Sequence, residues 1–239
     1  MRNFENWEIQ ELEITFGLNQ VWDNALITHW LGSTDTYSEF EKELIERIRV
    51  RILHNVDFWN EDELKLQSIA SIIELANYTS DAFKSFSQRP LSATINGIEI
   101  GGRVDFMLAK GRQKPLQPYF FIHEYKQETK KGSSDPKAQL LSELVAAQHK
   151  NDNKFPLYGC YVVGRYWFFV VLSGKEYAVS NSFNASEQAI YKIISILRQV
   201  KIYIEALNSP SGGEGADFAA VGPAYRPKIV PEVSPEPPG

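Results

Sequence analysis

Residues 120–128, FFIHEYKQE, open like a strand from the middle of a sheet and close on charge. Period-two alternation puts Glu124 and Lys126 on one face with Phe120 and Ile122, and turns His123 to the other. A carboxylate inside an apolar strand is expensive unless it is paired, hydrogen-bonded or bound to metal. One reading is a surface ion pair on an edge strand, the common fate of such pairs. Apolar residues on both faces argue instead for a central strand. His123 reads as a satisfied core or surface histidine and not as a base.

The neighbouring sequence supplies partners for that strand. LSATINGIEIGGRVDFMLA, residues 91–109, holds Asn96-Gly97 between branched residues, a short-range hairpin signal. Gly101-Gly102 reads as a bulge or bend in the second strand of the hairpin. That strand continues through 103–109, and KGRQKPLQP is a loop leading into 119–128. Asp135-Pro136 starts a helix reaching about His149, with Pro136 suited to its first turn. Strands follow at 157–163, 166–172 and 176–180, with turns at Gly164-Arg165 and Gly174-Lys175. Residues 185–207 form a closing amphipathic helix through Ile190, Ile193, Ile194, Leu197 and Ile204.

Upstream, Tyr37, Phe40, Leu44, Ile48 and Ile52 fall at helical spacing, with N-cap candidates at Ser33, Thr34, Asp35 and Thr36. A second helix spans about 61–77 behind Asn60, with Leu66, Ile69, Ile72, Ile73 and Ala76 as its stripe. The expected architecture is mixed α/β: a central sheet flanked by helices, with a helical extension over 1–57 and a core over 58–208. Residues 209–239 hold seven prolines and few core formers, and read as an extended or disordered tail.

Composition narrows the class. Of 239 residues, 43% are hydrophobic, enough for a sizeable core. Cys160 is the one cysteine, so an internal disulfide and a cysteine-based zinc site are excluded. The first residues lack the apolar run of a signal peptide. The stretch 157–172 is broken by Gly164-Arg165 and too short to span a bilayer. A cytoplasmic protein without membrane association is expected. The net charge of −5 is unevenly spread. Residues 1–64 carry 14 acidic and 5 basic side chains, a balance of −9, whereas 65–208 carry 12 and 18, a balance of +6. A basic core suits phosphate binding, although acidic helices neutralising a basic domain explain the pattern equally well. No Gly-x-x-x-x-Gly-Lys loop or Gly-x-Gly-x-x-Gly fingerprint occurs, which argues against a nucleotide-driven motor.

The two acidic interruptions of apolar strands, Asp105 and Glu124, lie on strands joined by one loop, and Lys126 projects from the face of Glu124. Converging carboxylates repel, and a divalent cation resolves that repulsion. Oxygen-only ligation points to Mg²⁺, with Mn²⁺ as substitute. Such an ion would neutralise a phosphodiester and acidify a water, and the ammonium would orient that water or stabilise the developing charge. The plain alternatives are an internal salt bridge of Glu124 with Lys126 and a pairing of Asp105 with Arg103.

The succession GGRVDFMLA, PYFFIHEYKQE and DPKAQLLSELVAAQ resembles the PD-(D/E)XK nuclease superfamily over roughly residues 58–180. The nearest flavour is the N-terminal nuclease of type I restriction subunits, together with uncharacterised bacterial relatives. The resemblance implies a restriction-endonuclease-like fold. It makes Asp105 and Glu124 metal ligands, with the carbonyl of Tyr125 a further one, and Lys126 the catalytic lysine. Gln139 matches an auxiliary polar position. The family often adds an acid from the preceding helix, for which Glu61, Glu63 and Glu74 are candidates; Glu63 is chosen because Leu66, Ala70 and Ile73 share its side. Val104 stands where the family's name has proline. The expected function is a Mg²⁺-dependent endonuclease acting on DNA; the alternative is a non-catalytic nucleic-acid- or protein-binding module of the same fold. The basic loops 110–114 and 126–132 would track a nucleic-acid backbone, and a second copy, a helicase or a recognition subunit would be a partner.

Overall fold

The computed structural model describes residues 1–128 and 135–208; the expected tail and most of the 126–132 loop lie outside the described residues. The chain forms a mixed sheet flanked by helices on both faces. In chain order its strands are β1 (Arg2–Asn3), β2 (Asn19–Gln20), β3 (Lys84–Ile95), β4 (Ile98–Lys110), β5 (Leu116–Lys126), β6 (Leu157–Val163), β7 (Tyr166–Ser173), β8 (Glu176–Val179) and β9 (Phe183–Asn184). The sheet runs β1-β4-β5-β6-β7-β8-β2, with β3 on β4 and β9 on β7. The helices are α1 (Ile9–Phe16), α2 (Ala25–Leu31), α3 (Glu39–Asn55), α4 (Glu61–Leu64), α5 (Ala70–Ala76), α6 (Pro136–Lys150) and α7 (Ala189–Asn208).

Local chemistry sets the antiparallel part. Asn96 and Gly97 both have positive φ, 51° and 81°, so a two-residue turn closes β3 onto β4 with Ile95 opposite Ile98. Gly164 and Gly174 take φ of 56° and 59° in the turns that join β6, β7 and β8. Between β5 and β6 the pairing is parallel, and α6 makes the crossover with Asp135 capping it and Pro136 in its first turn. Pro90 sits in β3, which among the described residues pairs with β4 alone, and an edge strand tolerates the missing donor.

Gly101 and Gly102 do not mark a bulge. The register with β3 is unbroken there, Leu91 opposite Gly102 and Ser92 opposite Gly101. Their bareness admits the N-terminus: a Cβ on Gly102 would stand 2.9 Å from the Phe4 ring, and one on Gly101 2.8 Å from Met1 Sδ. The irregularity falls instead between β4 and β5 at Leu108, Ala109 and Lys110. It shifts the alternation of β5, so that Phe120 packs with Phe121 on one face and not with Ile122 on the other.

On one face α2, α3, α5 and α7 cover the sheet, and on the other α1 and α6 do. In α3 the cap is Ser38, closed by Glu41 in a reciprocal capping box, and the buried stripe is Ile45, Ile48 and Ile52; Phe40 is exposed. Between α4 and α5 the chain makes a π-helical turn over Lys65–Ile69. Leu64, Ser68, Ile69, Ile72 and Ala76 face the core, and Leu66, expected in that stripe, is 71% exposed. The wider turn changes the angular phase on which the expectation rested.

Residues 1–57 supply β1 and β2 to the sheet and buried side chains to both faces. Trp30 of α2 has no exposed surface, donates from Nε1 to Ile196 O at 2.8 Å, and meets Phe121, Tyr158 and Phe169 edge-on. Trp30→Ala is therefore expected to cost ~3–5 kcal/mol in urea unfolding, in one cooperative transition. A loss below ~1 kcal/mol would show that the N-terminal segment folds apart from the sheet.

Candidate active site

The site forms where two neighbouring strands separate. The β4–β5 ladder ends at Phe106 opposite His123, so Asp105 and Glu124, next in line, are not paired through their backbones. Earlier along the same edge of β4 lies β1, which pairs only with Ile100 and Gly101. Asp105 fills the gap with its side chain: Tyr125 N donates to Asp105 Oδ2 at 3.0 Å. A residue's N–H and C=O point to the same side of a strand, so the Tyr125 carbonyl faces this gap too. Tyr125 itself stacks its ring into the core, where burial lifts its phenol well above the usual range.

The other Asp105 oxygen, Oδ1, accepts from Lys65 Nζ at 2.9 Å and from Gln88 Nε2 at 2.5 Å. Gln88 lies on β3 between Ser87, opposite Phe106, and Arg89, opposite Val104. Its φ of 54° is a left-handed conformation unusual for glutamine, and this strain sits directly across from Asp105. Arg103, the sequence-level candidate partner of Asp105, donates instead to the Gln88 carbonyl at 3.0 Å.

Glu124 is 1% exposed. It lies on β5 between β4 and β6, a central strand, which disposes of the edge-strand reading. Its Oε1 accepts from Lys126 Nζ, and its Oε2 is buried with no hydrogen-bond partner among the described residues. Burial, with the Asp105 carboxylate second, pushes Glu124 up to about 8 against the opposing pull of Lys126. Burial also works against the charge on Lys126, but the Glu124 carboxylate beside it outweighs that and raises the ammonium's pKa.

A further acid comes from α6. Every side chain from Ala138 to Gln148 of this helix is buried, and Glu143 has no exposed surface. Its Oε1 receives a long contact of 3.4 Å from Gln139 Nε2, and its Oε2 has no partner. Burial and then the carboxylates of Glu124 and Asp105 hold Glu143 well above the ordinary carboxylate range. Gln139, at the start of α6, thus reaches the cluster through Glu143. Nothing in the apolar run AQLLSELVAA ranked Glu143 above Gln139; the one available signal was their four-residue spacing, which stacks them on one helix side.

Glu63 does not belong to the cluster. It is exposed and spends its carboxylate on helix capping: Glu63 Oε2 accepts from Asn60 N at 2.8 Å while its own N–H donates to Asn60 Oδ1 at 2.9 Å. Glu61 is the helix acid that reaches the site, accepting from Lys65 Nζ at 2.7 Å. The structure therefore brings together Asp105, Glu124, Lys126, the Tyr125 carbonyl and Gln139, leaves Glu63 outside, and adds Glu61, Lys65, Gln88 and Glu143. His123 faces away from Glu124, held between Tyr78 Oη at 2.9 Å and Cys160 Sγ at 3.1 Å.

The residues fit a hard divalent cation. Asp105, Glu124 and the Tyr125 carbonyl offer only oxygen donors, and Mg²⁺ commonly takes one or two carboxylates plus water and substrate. The orphaned Glu124 Oε2 is the atom that most needs such a partner. Among the described residues no three His, Cys, Asp or Glu side chains form a ready-made metal cage. Also among them, no helix is long and apolar enough to cross a membrane. Compared with protein-family models and with curated proteins, the chain matches none.

The raised Glu124 has a consequence for stability. Folded Glu124 keeps its proton up to about 8, whereas its ordinary value is 4.5, so between these values the folded state binds more protons. Stability is then full below the lower value and falls as pH rises through the upper one. In EDTA, thermal unfolding is expected to lose ~2 kcal/mol or more between pH 5 and pH 8.5, and Glu124→Gln to flatten the profile. A wild-type profile that is flat, or that rises with pH, would contradict this account of the buried carboxyl.

Proposed function

We propose that this chain is a metal-dependent nuclease of the PD-(D/E)XK kind that hydrolyses phosphodiester bonds, with DNA as the favoured substrate. The observation that carries the reading is the Glu124 carboxylate, buried at the gap between β4 and β5 with Oε2 unpartnered, beside Asp105 and Lys126. Leaving one oxygen of a buried carboxyl unsatisfied costs ~1–3 kcal/mol, a cost that a bound cation would offset and the ion pair with Lys126 alone does not. The basic balance of residues 65–208 supports a polyanionic substrate.

In this reading Asp105, Glu124 and the Tyr125 carbonyl hold Mg²⁺ or Mn²⁺. When bound, that ion supplies neutralisation of the scissile phosphate and acidification of a water. The chain's own contribution is positional. Asp105 is held by Tyr125 N–H on one oxygen and by Gln88 on the other, so its carboxylate stays aimed at the gap. Lys126 is carried by a central strand, remains charged and stands beside Glu124, where its ammonium can orient the attacking water and stabilise charge on the phosphoryl oxygens. Glu143, kept protonated by burial, lets a third acid sit behind the pair without adding a third negative charge, and Gln139 orients it.

The test is cleavage of a panel of single-stranded, double-stranded and branched DNA and of RNA, with Mg²⁺ or Mn²⁺. EDTA is expected to abolish cleavage and Lys126→Ala to slow it by ~10²-fold or more. Cleavage that persists in Lys126→Ala at the wild-type rate would remove the lysine from the mechanism. Nucleic-acid binding without cleavage under any of these conditions would turn the reading into a binding module of the same fold.

A further inference from the structure

Asp105, read above as a metal ligand, already has a cation. Lys65 Nζ lies 2.9 Å from Asp105 Oδ1 and 2.7 Å from Glu61 Oε1, and the Tyr125 ring centroid is 6.0 Å away. These are the charged and aromatic groups that face it. Lys65 enters from the helical layer at the first residue of the π-helical turn over Lys65–Ile69, an irregularity that in proteins clusters at functional positions.

Lys126 does the same for Glu124. Each of the two acids read as ligands thus has its own tethered ammonium beside it. A divalent ion that bound Asp105 and Glu124 would bring in two positive charges where two already stand. The oxygen it finds unclaimed is Glu124 Oε2, while Asp105 Oδ1 is shared by Lys65 and Gln88. Lys65 can give up Asp105 cheaply, because Glu61, one helical turn before it, remains as its second partner. Its side chain is 22% exposed, so the released ammonium can reach solvent and whatever anion lies there.

We infer that Lys65 is a built-in counter-cation of Asp105 which a divalent metal displaces and which then binds a phosphate group of the nucleic acid. The inference rests on the assignment of Asp105 and Glu124 as metal ligands. It makes metal and phosphodiester bind with positive cooperativity. Metal alone must work against two ammonium groups, whereas a polyanion takes them up. By linkage, each ligand raises the other's affinity by the same factor.

The experiment compares Mn²⁺ binding by calorimetry, without nucleic acid, in wild type, Lys65→Met, Lys65→Gln and Lys154→Met. Lys154 is exposed just before β6, at the end of the β5–β6 pair away from Lys126, and controls for the loss of one positive charge. Lys65→Met is expected to bind Mn²⁺ about tenfold more tightly, and Lys154→Met to stay at the wild-type value. In a second arm, fluorescence anisotropy of labelled DNA and RNA oligonucleotides is read with and without Ca²⁺. Wild type is expected to gain about tenfold from the cation on its preferred strand, and Lys65→Met to lose most of that gain. Should Lys65→Met fail to fold, Lys65→Gln, which keeps a donor for Asp105, carries the comparison. Unchanged or weaker Mn²⁺ binding in both Lys65 variants, with Asp105→Asn abolishing it, would overturn the role of Lys65 and leave the metal site standing. Wild-type Mn²⁺ affinity in Asp105→Asn and Glu124→Gln would overturn the site assignment and this inference with it.

Discussion

One hydrogen bond organises the centre of this molecule: the Tyr125 backbone N–H donates to a side chain, Asp105 Oδ2, where a regular sheet would offer a carbonyl. The substitution lets β4 and β5 part after Phe106 and His123 without leaving that donor bare. Parting the strands turns the Tyr125 carbonyl, Asp105 and Glu124 toward a shared gap, and the parallel pairing of β5 with β6 continues beside it as far as Lys126. Had the ladder continued, Asp105 would have faced Glu124 as an ordinary cross-strand pair of like charges, which destabilises a sheet. The gap is a solution to that repulsion as much as a place for chemistry.

Electrostatics then dictates what surrounds the gap. Two buried acids on the sheet are costly to charge together: Lys65, from the turn after α4, pairs with Asp105, while Glu124 is pushed up to about 8 despite Lys126 beside it on β5. Glu143, buried on α6, is raised well above the ordinary carboxylate range by burial and by the neighbouring carboxylates, which favours its neutral form. The stability of the fold and the charge gathered at the gap are thus in tension. Replacing such a cluster with apolar residues of similar volume is often neutral or stabilising, so the cluster's presence in a well-packed core asks for a role beyond packing.

Much of this arrangement was legible in the chain. Asn96-Gly97 announces the β3–β4 hairpin through its positive φ requirement, and Asp135-Pro136 announces α6. Period two alone puts Glu124 and Lys126 on one face and His123 on the other. What escaped the sequence escaped for identifiable reasons. The π-helical turn rotates the helix that follows Asn60, so a stripe projected at 3.6 residues per turn turned Glu63 inward and left Glu61 out. The shift at Leu108–Lys110 moved Phe120 to the other face. Strands of two residues such as β1 and β2 carry no period to detect, which is why residues 1–57 read as helices alone. Gly101 and Gly102 look like a bulge because sequence cannot show that Phe4 and Met1 return from the N-terminus to rest on them. Lys65 and Gln88 reach Asp105 from 40 and 17 residues away, a convergence that only the folded chain displays.

The reverse side of β5 explains how a strand can carry so much unfavourable charge and stay in place. His123 has no exposed surface, and burial drives its pKa well below the usual range, so its ring is neutral. A neutral imidazole has one donor and one acceptor. Tyr78 Oη at one nitrogen and Cys160 Sγ at the other can satisfy both with either tautomer, since hydroxyl and thiol each donate or accept. Phe121 and Phe106 close on the ring edge-on at 4.5 and 4.8 Å. Because Cys160 is the register partner of His123 across the β5–β6 pair, this contact pins β5 to β6 at the residue before Glu124. The aromatic cage supplies packing energy on one face of a strand whose other face gives it up. A Glu124 that is dry, held and unsatisfied at one oxygen is possible only because its neighbour in sequence is so fully satisfied.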